Sequence, residues 1–357
     1  MRSATPLRLG ALLALLSLAP ALGAMPVSKA SAGSMPLVTK GALAIPCAAA
    51  RQTPSELFEV VKIVDGDTIH ILRNGEKEKL RLLSVDTEEK LTPGQRNSGS
   101  KPQTVYGEDT RLWTIDYFEQ FRDEQGLLQV GLSFPKDKQA RDVYGRLLCH
   151  VLAKDGTDFN LLLVQLGKSP YFNKYGNSLI CHEAFVAAQA QARRNLLGIW
   201  NPRVNQPADG DSPSAVRPYD QLLPWWQVRA DAIDSFRALA AKEPMSVIAA
   251  DDADGLAGAL ESKKEVRLFG SPDRFFEEKD GSRTVLFRAE DKSRALRVSI
   301  AKDDLASFEA FDLEGLRSEF RQNYAYVRGT LTQGPRGFRI DNSKVSQWSR
   351  AGAEPGQ

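Results

Sequence analysis

Apolar and polar positions alternate along the stretch from residue 57 to residue 85, and two tight turns interrupt it. The run Asp65-Gly66-Asp67-Thr68 lies between two apolar stretches within residues 57–72. Asp-Gly between two β-prone stretches is typical of a hairpin turn. A second turn at Asn74-Gly75 precedes another strand-like stretch over 79–85. The pattern therefore predicts a meander of three antiparallel strands.

The next stretches alternate between helical and strand-like periodicity. A polar loop over 91–104 precedes a helix predicted over 106–122, because large apolar residues recur there every three positions at Leu112, Ile115, Phe118 and Phe121. The pattern then predicts strands over 127–134 and 144–152 and helices over 159–166 and 183–197. This order suits a five-stranded Greek-key barrel of the OB type with helices, although the pattern alone indicates only a mixed α+β, β-rich fold.

Acidic residues lie where the first and third predicted strands end. Asp67 stands in the first turn, and the third strand runs into Asp86-Thr87-Glu88-Glu89. If these strands pair, the carboxylates crowd one edge of the sheet. Carboxylates gathered without His or Cys suggest a hard, oxygen-bound cation such as calcium.

A third run, Asp142-Val143-Tyr144-Gly145-Arg146, completes a set of three ordered motifs. The other two are Asp65-Gly66-Asp67-Thr68 and the stretch from Arg81 to Glu89. Together they resemble the staphylococcal nuclease (thermonuclease) family, and the resemblance extends over residues 57–200, ending in Leu197-Gly198-Ile199-Trp200. It implies an OB-type barrel and the hydrolysis of phosphodiester bonds.

The resemblance also implies roles for individual residues. Asp67, Asp86 and the main-chain carbonyl of Thr87 would bind Ca²⁺, and Glu89 would activate the attacking water. Glu88 stands where the family has proline, so two adjacent carboxylates are candidates for the base, with the spacing in favour of Glu89.

Arg81 and Arg146 match the two arginines of the family. A guanidinium fork suits contact with a phosphate and with its pentacoordinate transition state. The alternative for Arg81 is a structural ion pair with Asp86 or Glu89.

Three tyrosines are candidates for binding the nucleotide. Tyr144 belongs to the third motif, and Tyr171 matches the first of two tyrosines at the nucleotide pocket of the family. The second of these is replaced by Asn173, with Tyr175 nearby. The alternative is that these rings pack against the protein.

Charge does not by itself indicate a nucleic-acid-binding protein. The chain has 357 residues, with 47 Lys+Arg against 45 Asp+Glu and a net charge of +2. A broad basic field is therefore excluded as the basis for binding phosphates, and a few well-placed arginines must provide it.

The N-terminus has the pattern of a secretory signal over residues 1–24. Arg2 and Arg8 precede and enter an apolar core, and Ala21-Leu22-Gly23-Ala24 offers small residues for cleavage. The apolar core is shorter than the roughly 20 residues that a membrane span needs. We therefore expect a secreted or periplasmic protein with no membrane span in the mature chain; an uncleaved anchor is the alternative.

Three cysteines would remain after export. A disulfide between Cys149 and Cys181 would leave Cys47 unpaired in the leader. Two small buried thiols are the other interpretation.

Composition divides the chain into further segments. Residues 25–53 have no periodicity and predict a flexible leader, 54–202 would form the nuclease domain, and 203–217 form a linker rich in Pro, Asp and Ser. Residues 218–350 predict a smaller β-rich domain: an amphipathic helix over 223–242, a short helix over 251–261, and strands over 266–269, 284–288, 295–300, 324–331 and 337–340. This domain is interpreted either as a second OB-like module or as a spacer or partner-binding domain.

The sequence thus predicts an exported, calcium-dependent endonuclease that cleaves DNA and RNA with little sequence specificity and leaves a 3′-phosphate. The alternative is a non-catalytic nucleic-acid- or protein-binding module of the same fold. Because no catalytic constellation follows Trp200, we expect cleavage not to need the second domain. The sequence gives no oligomeric state.

Overall fold

The structure is a computed structural model, and it describes residues 53–94, 98, 100–137, 139–204, 217–289, 294–317 and 323–351. The predicted signal peptide, nearly all of the predicted leader, and residues 205–216 of the predicted linker lie outside these ranges. Within the described residues, no helix is long and apolar enough to cross a membrane.

The first three strands form the predicted meander. They are β1 (Phe58–Asp65), β2 (Thr68–Arg73) and β3 (Glu76–Leu82), paired antiparallel in chain order. The turn between β2 and β3 consists of Asn74 and Gly75, which have φ values of 51° and 79°. Asn and Gly tolerate this left-handed backbone better than other residues, which explains the tight turn.

Helix α1 (Val105–Glu119) begins at Thr104, whose side chain accepts a hydrogen bond from the Gly107 N–H. It buries a face made of Gly107, Thr110, Thr114 and Phe118. The sequence predicted Leu112 on the buried face, but Leu112 is 46% exposed. Small residues line this face because the helix packs closely against the barrel wall and the main chain after β3.

Strands β4 (Gln129–Ser133) and β6 (Leu147–Leu152) close the barrel, and the short β5 (Ala140–Arg141) pairs with β6 outside it. Strand β4 pairs with β1 and β6, and β6 returns to pair in parallel with β3. The strands β1, β2, β3, β6 and β4 thus form a closed five-stranded barrel, which confirms the predicted OB-type fold. Its interior includes Ile69, Ile71, Leu80, Leu82, Leu147 and Val151.

Two helices pack against this barrel. They are α2 (Phe159–Gln165), capped by the Asp158 side chain, and α3 (His182–Arg194). Helix α2 is buried along most of its length and packs directly on α3 and β6. Short 3-10 turns lie at Pro135–Asp137 and Gly198–Trp200.

Cys149 and Cys181 do not form the disulfide that the sequence left open. Cys149 lies on β6 as a free, fully buried thiol, whereas Cys181 is disulfide-bonded. Cys149 points into the barrel interior with the apolar residues of β6 and packs as a small apolar side chain. Burial also raises the pKa of its thiol.

The second half is β-rich, as predicted, and begins with the long helix α4 (Tyr219–Lys242). This helix starts four positions earlier than predicted, so Pro224 lies inside it. The elements that follow are β7 (Val247–Ala249), α5 (Ala253–Ser262), β8 (Glu265–Gly270), β9 (Pro272–Glu277), β10 (Arg283–Phe287), β11 (Arg297–Ile300), β12 (Tyr324–Thr330), β13 (Thr332–Gly334), β14 (Gly337–Ile340) and β15 (Trp348–Ala351), with 3-10 turns at Lys302–Phe308, Gly315–Arg317 and Val345–Gln347.

These strands form two sheets in the orders β13-β14-β11-β10-β9 and β15-β12-β8-β7. The two sheets share one core with α5, which includes Leu268, Val285, Phe287, Val298 and Trp348. Strands β8, β10, β11, β12 and β14 correspond to the five predicted strands. The sequence missed the other four because β7 and β13 are three residues long, β15 is four residues long and β9 alternates poorly.

Candidate active site

The turn between β1 and β2 holds Asp67 at the edge of the barrel. Asp65 ends β1 and pairs with Thr68 at the start of β2. Asp65 accepts a hydrogen bond of 2.9 Å from the Gly66 N–H, which is the turn role expected of it. A Cβ on Gly66 would lie 2.8 Å from the Thr87 methyl group, so the close approach of Thr87 requires glycine here.

Strand pairing places Arg81 beside Asp67. Arg81 lies opposite Thr68 in the register of β2 and β3. Its guanidinium forms ion pairs with both Asp67 and Asp86, the second at 2.5 Å. The ion-pair alternative for Arg81 therefore describes its contacts in this structure, with Asp86 and Asp67 as the partners.

The segment after β3 brings Asp86 and Thr87 to the same edge. Ser84 turns the chain with a φ of 63°, and the Asp86 N–H donates to Ser169 Oγ at 2.8 Å. The Thr87 N–H donates to Asp67 Oδ2 at 3.1 Å. Two aspartates 19 positions apart in the chain thereby face one another, as the sequence predicted from strand pairing.

Lys101 lies at the point on which three carboxylates converge. Its Nζ is 3.3 Å from Asp67 Oδ2, 3.1 Å from Asp86 Oδ1 and 2.8 Å from Glu89 Oε1. Among the described residues, no three acidic, His or Cys side chains converge closely enough to hold a metal ion in this arrangement. The reason is that the Lys101 ammonium and the Arg81 guanidinium lie between the carboxylates.

These cations keep both aspartates ionised. Burial alone would raise the pKa of Asp67, but the charges of Arg81 and Lys101 lower it to about 2. Burial alone would also raise the pKa of Asp86. The charges of Lys101, Arg217 and Arg81 outweigh this effect, so the pKa of Asp86 lies well below the usual range. Burial, with the charges of Asp67 and Glu89, raises the pKa of Asp65 to about 7.

The two adjacent glutamates lie in different surroundings. Glu88 is 1% exposed, and it accepts hydrogen bonds from the Thr104 hydroxyl and, at 3.0 Å, from the Tyr219 hydroxyl. Burial raises the pKa of Glu88. The Glu89 side chain is 33% exposed, and its Oε1 contacts Lys101 Nζ. We call the place that Lys101 Nζ occupies among Asp67, Asp86 and Glu89 the cation position. Of the two carboxylates, only that of Glu89 is open to water.

Arg146 lies on the same side of the barrel as Arg81, two residues along the strand direction. It precedes β6, and Leu148 of β6 is level with Arg81 in the pairing of β6 with β3. Two residues of strand correspond to about 7 Å. Arg146 pairs with Asp142, with 2.7 Å between Nε and Oδ2, and its side chain remains 27% exposed.

The three candidate tyrosines divide into two groups. Tyr144 and Tyr175 are 79% and 57% exposed. Tyr171 is 3% exposed; its hydroxyl lies 2.8 Å from His182 Nδ1, and its ring stacks on Phe185. The packing alternative therefore describes Tyr171. Asn173, at the second tyrosine position, is also buried and donates to Asn177 and Gln227.

The sequence missed three residues that touch this cluster: Lys101, Arg217 and Tyr219. Arg217 forms an ion pair with Asp86, and Tyr219 binds Glu88. Lys101 lies in the predicted polar loop, and Arg217 was assigned to the linker. The only available signal was the unusual Glu88, a buried carboxylate that needs a partner.

Residues 79–202 match the family described as Staphylococcal nuclease homologue. A thermonuclease of Staphylococcus intermedius is 30% identical over 147 residues, which are 41% of this chain and 76% of that protein. A thermonuclease of Staphylococcus hyicus is 29% identical over 150 residues, with the same coverage of 41% and 76%. The endonuclease YhcR of Bacillus subtilis is 32% identical over 145 residues, but these are 40% of this chain and only 11% of YhcR.

Proposed function

Because the chain belongs to the staphylococcal nuclease homologue family, we propose that it is an exported, calcium-dependent endonuclease. Its substrates would be DNA and RNA, cleaved to products with a 3′-phosphate and a 5′-hydroxyl. The observation that carries this proposal is the contact of Asp67, Asp86 and Glu89 with the single ammonium of Lys101, beside Arg81.

The donor set at this position fits calcium. It consists of carboxylate oxygens, together with the Thr87 main chain next to Asp67, and hard cations prefer such oxygen ligands. The Lys101 ammonium lies among these oxygens and acts as a stand-in cation. Calcium therefore requires Lys101 to withdraw, after which Asp67, Asp86 and the Thr87 carbonyl would hold the ion.

Calcium, when bound there, supplies positive charge and Lewis-acid polarisation to the scissile phosphate. The remaining chemistry belongs to side chains of this protein. Arg81 and Arg146 bind phosphoryl oxygens through their guanidinium forks and stabilise the charge that develops on them. Glu89 accepts a proton from the water that attacks phosphorus.

Two observations support Glu89 rather than Glu88 as the base. The Glu89 carboxylate is open to water at the cation position, whereas Glu88 is enclosed by Thr104 and Tyr219. A general base must reach the attacking water, and a carboxylate enclosed by other side chains cannot.

Exposed aromatic rings near the arginines support nucleic acid as the substrate. Tyr144 lies under the Arg146 guanidinium, which is 5.6 Å from the ring centroid. A base can stack on such an exposed ring without regard to its identity, which is consistent with low sequence specificity. Export rests on the N-terminal sequence pattern.

The decisive experiment is cleavage of a single-stranded DNA oligonucleotide with calcium and with chelator, for the unsubstituted protein and for Glu89→Gln. We expect cleavage that requires calcium and falls by about 100-fold or more in the variant, since general-base catalysis contributes roughly 10²–10⁴-fold. End-labelling of the products would identify the 3′-phosphate.

Glu88→Gln is the matched control, because an amide in that enclosed position still accepts a hydrogen bond from Tyr219. It should retain most activity. A large loss in Glu88→Gln with none in Glu89→Gln would move the base to Glu88. Binding of the oligonucleotide without any cleavage, in a folded protein with calcium, would favour the non-catalytic binding module.

A further inference from the structure

Arg217 is a buried arginine at the site that comes from outside the family-matched residues 79–202. It precedes helix α4, and its side chain is only 2% exposed. Charged side chains are rarely buried unless each is paired and hydrogen-bonded. The contacts that justify its burial therefore indicate what Arg217 does.

The Arg217 guanidinium donates to three acceptors. Nη1 donates to the Asp86 main-chain carbonyl at 2.7 Å, and Nε donates to the Ser100 carbonyl at 2.9 Å. Nη2 donates to Oδ2 of the Asp86 carboxylate. One planar fork thus holds both the main chain and the side chain of Asp86 in a fixed geometry, whereas the ammonium of a lysine is a point charge without that rigid fork.

These bonds fix the direction of the Asp86 carboxylate. Because Oδ2 is bound to Arg217, Oδ1 faces Arg81 at 2.5 Å and Lys101 at 3.1 Å. The Asp86 N–H is held in turn by Ser169. Rotation of the carboxylate away from the cation position would break charge-assisted hydrogen bonds in a buried environment, where they are strong.

The start of α4 holds Arg217 in place. The guanidinium carbon lies 5.4 Å from the ring centroids of both Tyr219 and Trp226. The Tyr219 hydroxyl donates to Glu88, the residue that replaces the proline of the family. Tyr219 therefore contacts both Arg217 and the buried Glu88.

We propose that Arg217 is a positioning residue of the nuclease site, which orients Asp86 Oδ1 toward the cation position. The proposal rests on the proposed function. It runs against our expectation that cleavage does not need the second domain, because it makes the chain from Arg217 to Tyr219 part of the site. Arg217 acts through Asp86 and does not contact the substrate.

The test is calorimetric titration of calcium into the full chain carrying Arg217→Lys, which keeps the charge and loses the fork. We expect calcium to bind about tenfold more weakly and kcat to fall, with little change in KM for the oligonucleotide. Because the charge is kept, a weaker affinity reports lost orientation. Tyr219→Phe, which loses the hydroxyl that contacts Glu88 and Arg217, should weaken calcium binding by about threefold.

Arg237→Lys is the matched control, since Arg237 lies on α4 and contacts Asn177 and Asp234 but none of the carboxylates of the site. Thermal unfolding in chelator shows that each variant is folded. Unchanged calcium affinity in Arg217→Lys, whatever the result for Tyr219→Phe, or a rise in kcat in Arg217→Lys would overturn the proposal. If the unsubstituted protein neither bound calcium nor cleaved, the proposed function would fail and this proposal with it.

Discussion

The Lys101 ammonium occupies the cation position, so it would compete with a calcium ion for the same carboxylates. It contacts Asp67, Asp86 and Glu89 at once, although it lies in a loop. Asp67 and Asp86 raise the pKa of Lys101 despite its burial, so it is charged at neutral pH. On the proposed function, calcium would have to displace this charge in order to bind.

Replacing Lys101 with Met should therefore tighten calcium binding. We expect the dissociation constant to fall by about tenfold, because the carboxylates lose their internal counter-ion; calorimetric titration would measure it. Lys90→Met is the control, since Lys90 Nζ contacts Thr92 at 3.2 Å. An affinity that stays the same or weakens in Lys101→Met would contradict competition.

Lys168 should make stability depend on pH in the alkaline range. Burial lowers its pKa from 10.5 to about 8, while its ammonium lies 4.7 Å from the Trp113 ring centroid. Between pH 8 and 10.5 the unfolded chain holds this proton and the folded chain has lost it. The unfolding free energy contributed by Lys168 therefore rises with pH across this window.

Lys168→Met removes this dependence. It should be more stable than the unsubstituted protein at pH 7, and the difference should shrink as the pH approaches 10, as measured by urea unfolding. Lys154→Met, at a partly exposed position 3.7 Å from Asp123, is the control. A difference that does not change with pH would show that the cation–π contacts cancel the cost of burial.

The sequence could place some residues of the site and not others. Asp67, Arg81 and Asp86 follow from a strand meander, because hairpin register brings neighbours along the chain together. Lys101 and Arg217 could not be placed, since a loop and a linker carry no periodicity that fixes their path. The burial of Tyr171 could not be predicted either, because its match to a tyrosine position of the family does not show whether the ring is exposed.

At the level of elements, helix α1 packs against the main chain of Glu89, and Gly107 allows this close packing. A Cβ on Gly107 would lie 2.1 Å from the Glu89 carbonyl oxygen, far inside contact distance. The Thr104 N–H donates to the same carbonyl at 3.1 Å. The helix thus sets the position of the main chain that carries the candidate base.

Gly107→Ala should displace Glu89 and lower kcat by about tenfold or more. The gain in helix propensity, about 1 kcal/mol, should be outweighed by overpacking, which costs about 1–3 kcal/mol. Activity assays and urea unfolding would measure both. Gly258→Ala, at an exposed site in α5 with open space around it, should leave activity unchanged and stability equal or higher.

Element prediction succeeded where alternation was strong. The barrel strands and helices α2 and α3 were predicted because apolar residues recur at the right period over their length. The buried face of α1 was not, because it consists of Gly107, Thr110 and Thr114, whose small size matters more than their hydrophobicity. The periodicity of large apolar residues cannot reveal a helix face whose small residues let the helix pack closely against its neighbours.

At the scale of the whole molecule, helix α4 joins the nuclease barrel to the second β-rich region. Gln227 accepts a hydrogen bond from Asn173 at 3.0 Å, and Phe236 stacks on Phe269 with 4.4 Å between ring centroids. Arg229 spans both sides: it donates to the Lys174 carbonyl at 3.1 Å and to the Tyr324 hydroxyl at 3.0 Å.

Arg229→Met should separate the unfolding of the two parts. We expect one calorimetric transition in the unsubstituted protein and a broadened or double transition in the variant, because the bridging bonds are lost. Arg274→Met, at an exposed position of β9, should keep the single transition. A single sharp transition in Arg229→Met would show that the apolar contacts of α4 suffice to couple the parts.

The position of Arg217 also has a consequence for the time at which the site is completed during synthesis. Arg217 follows Asp86 by 131 residues. At about 5–20 residues per second, a ribosome needs on the order of ten seconds to add them. Throughout that interval the nascent chain carries its aspartates without the guanidinium that orients Asp86. On this proposal, a growing chain cannot complete the site until Arg217 has been synthesised.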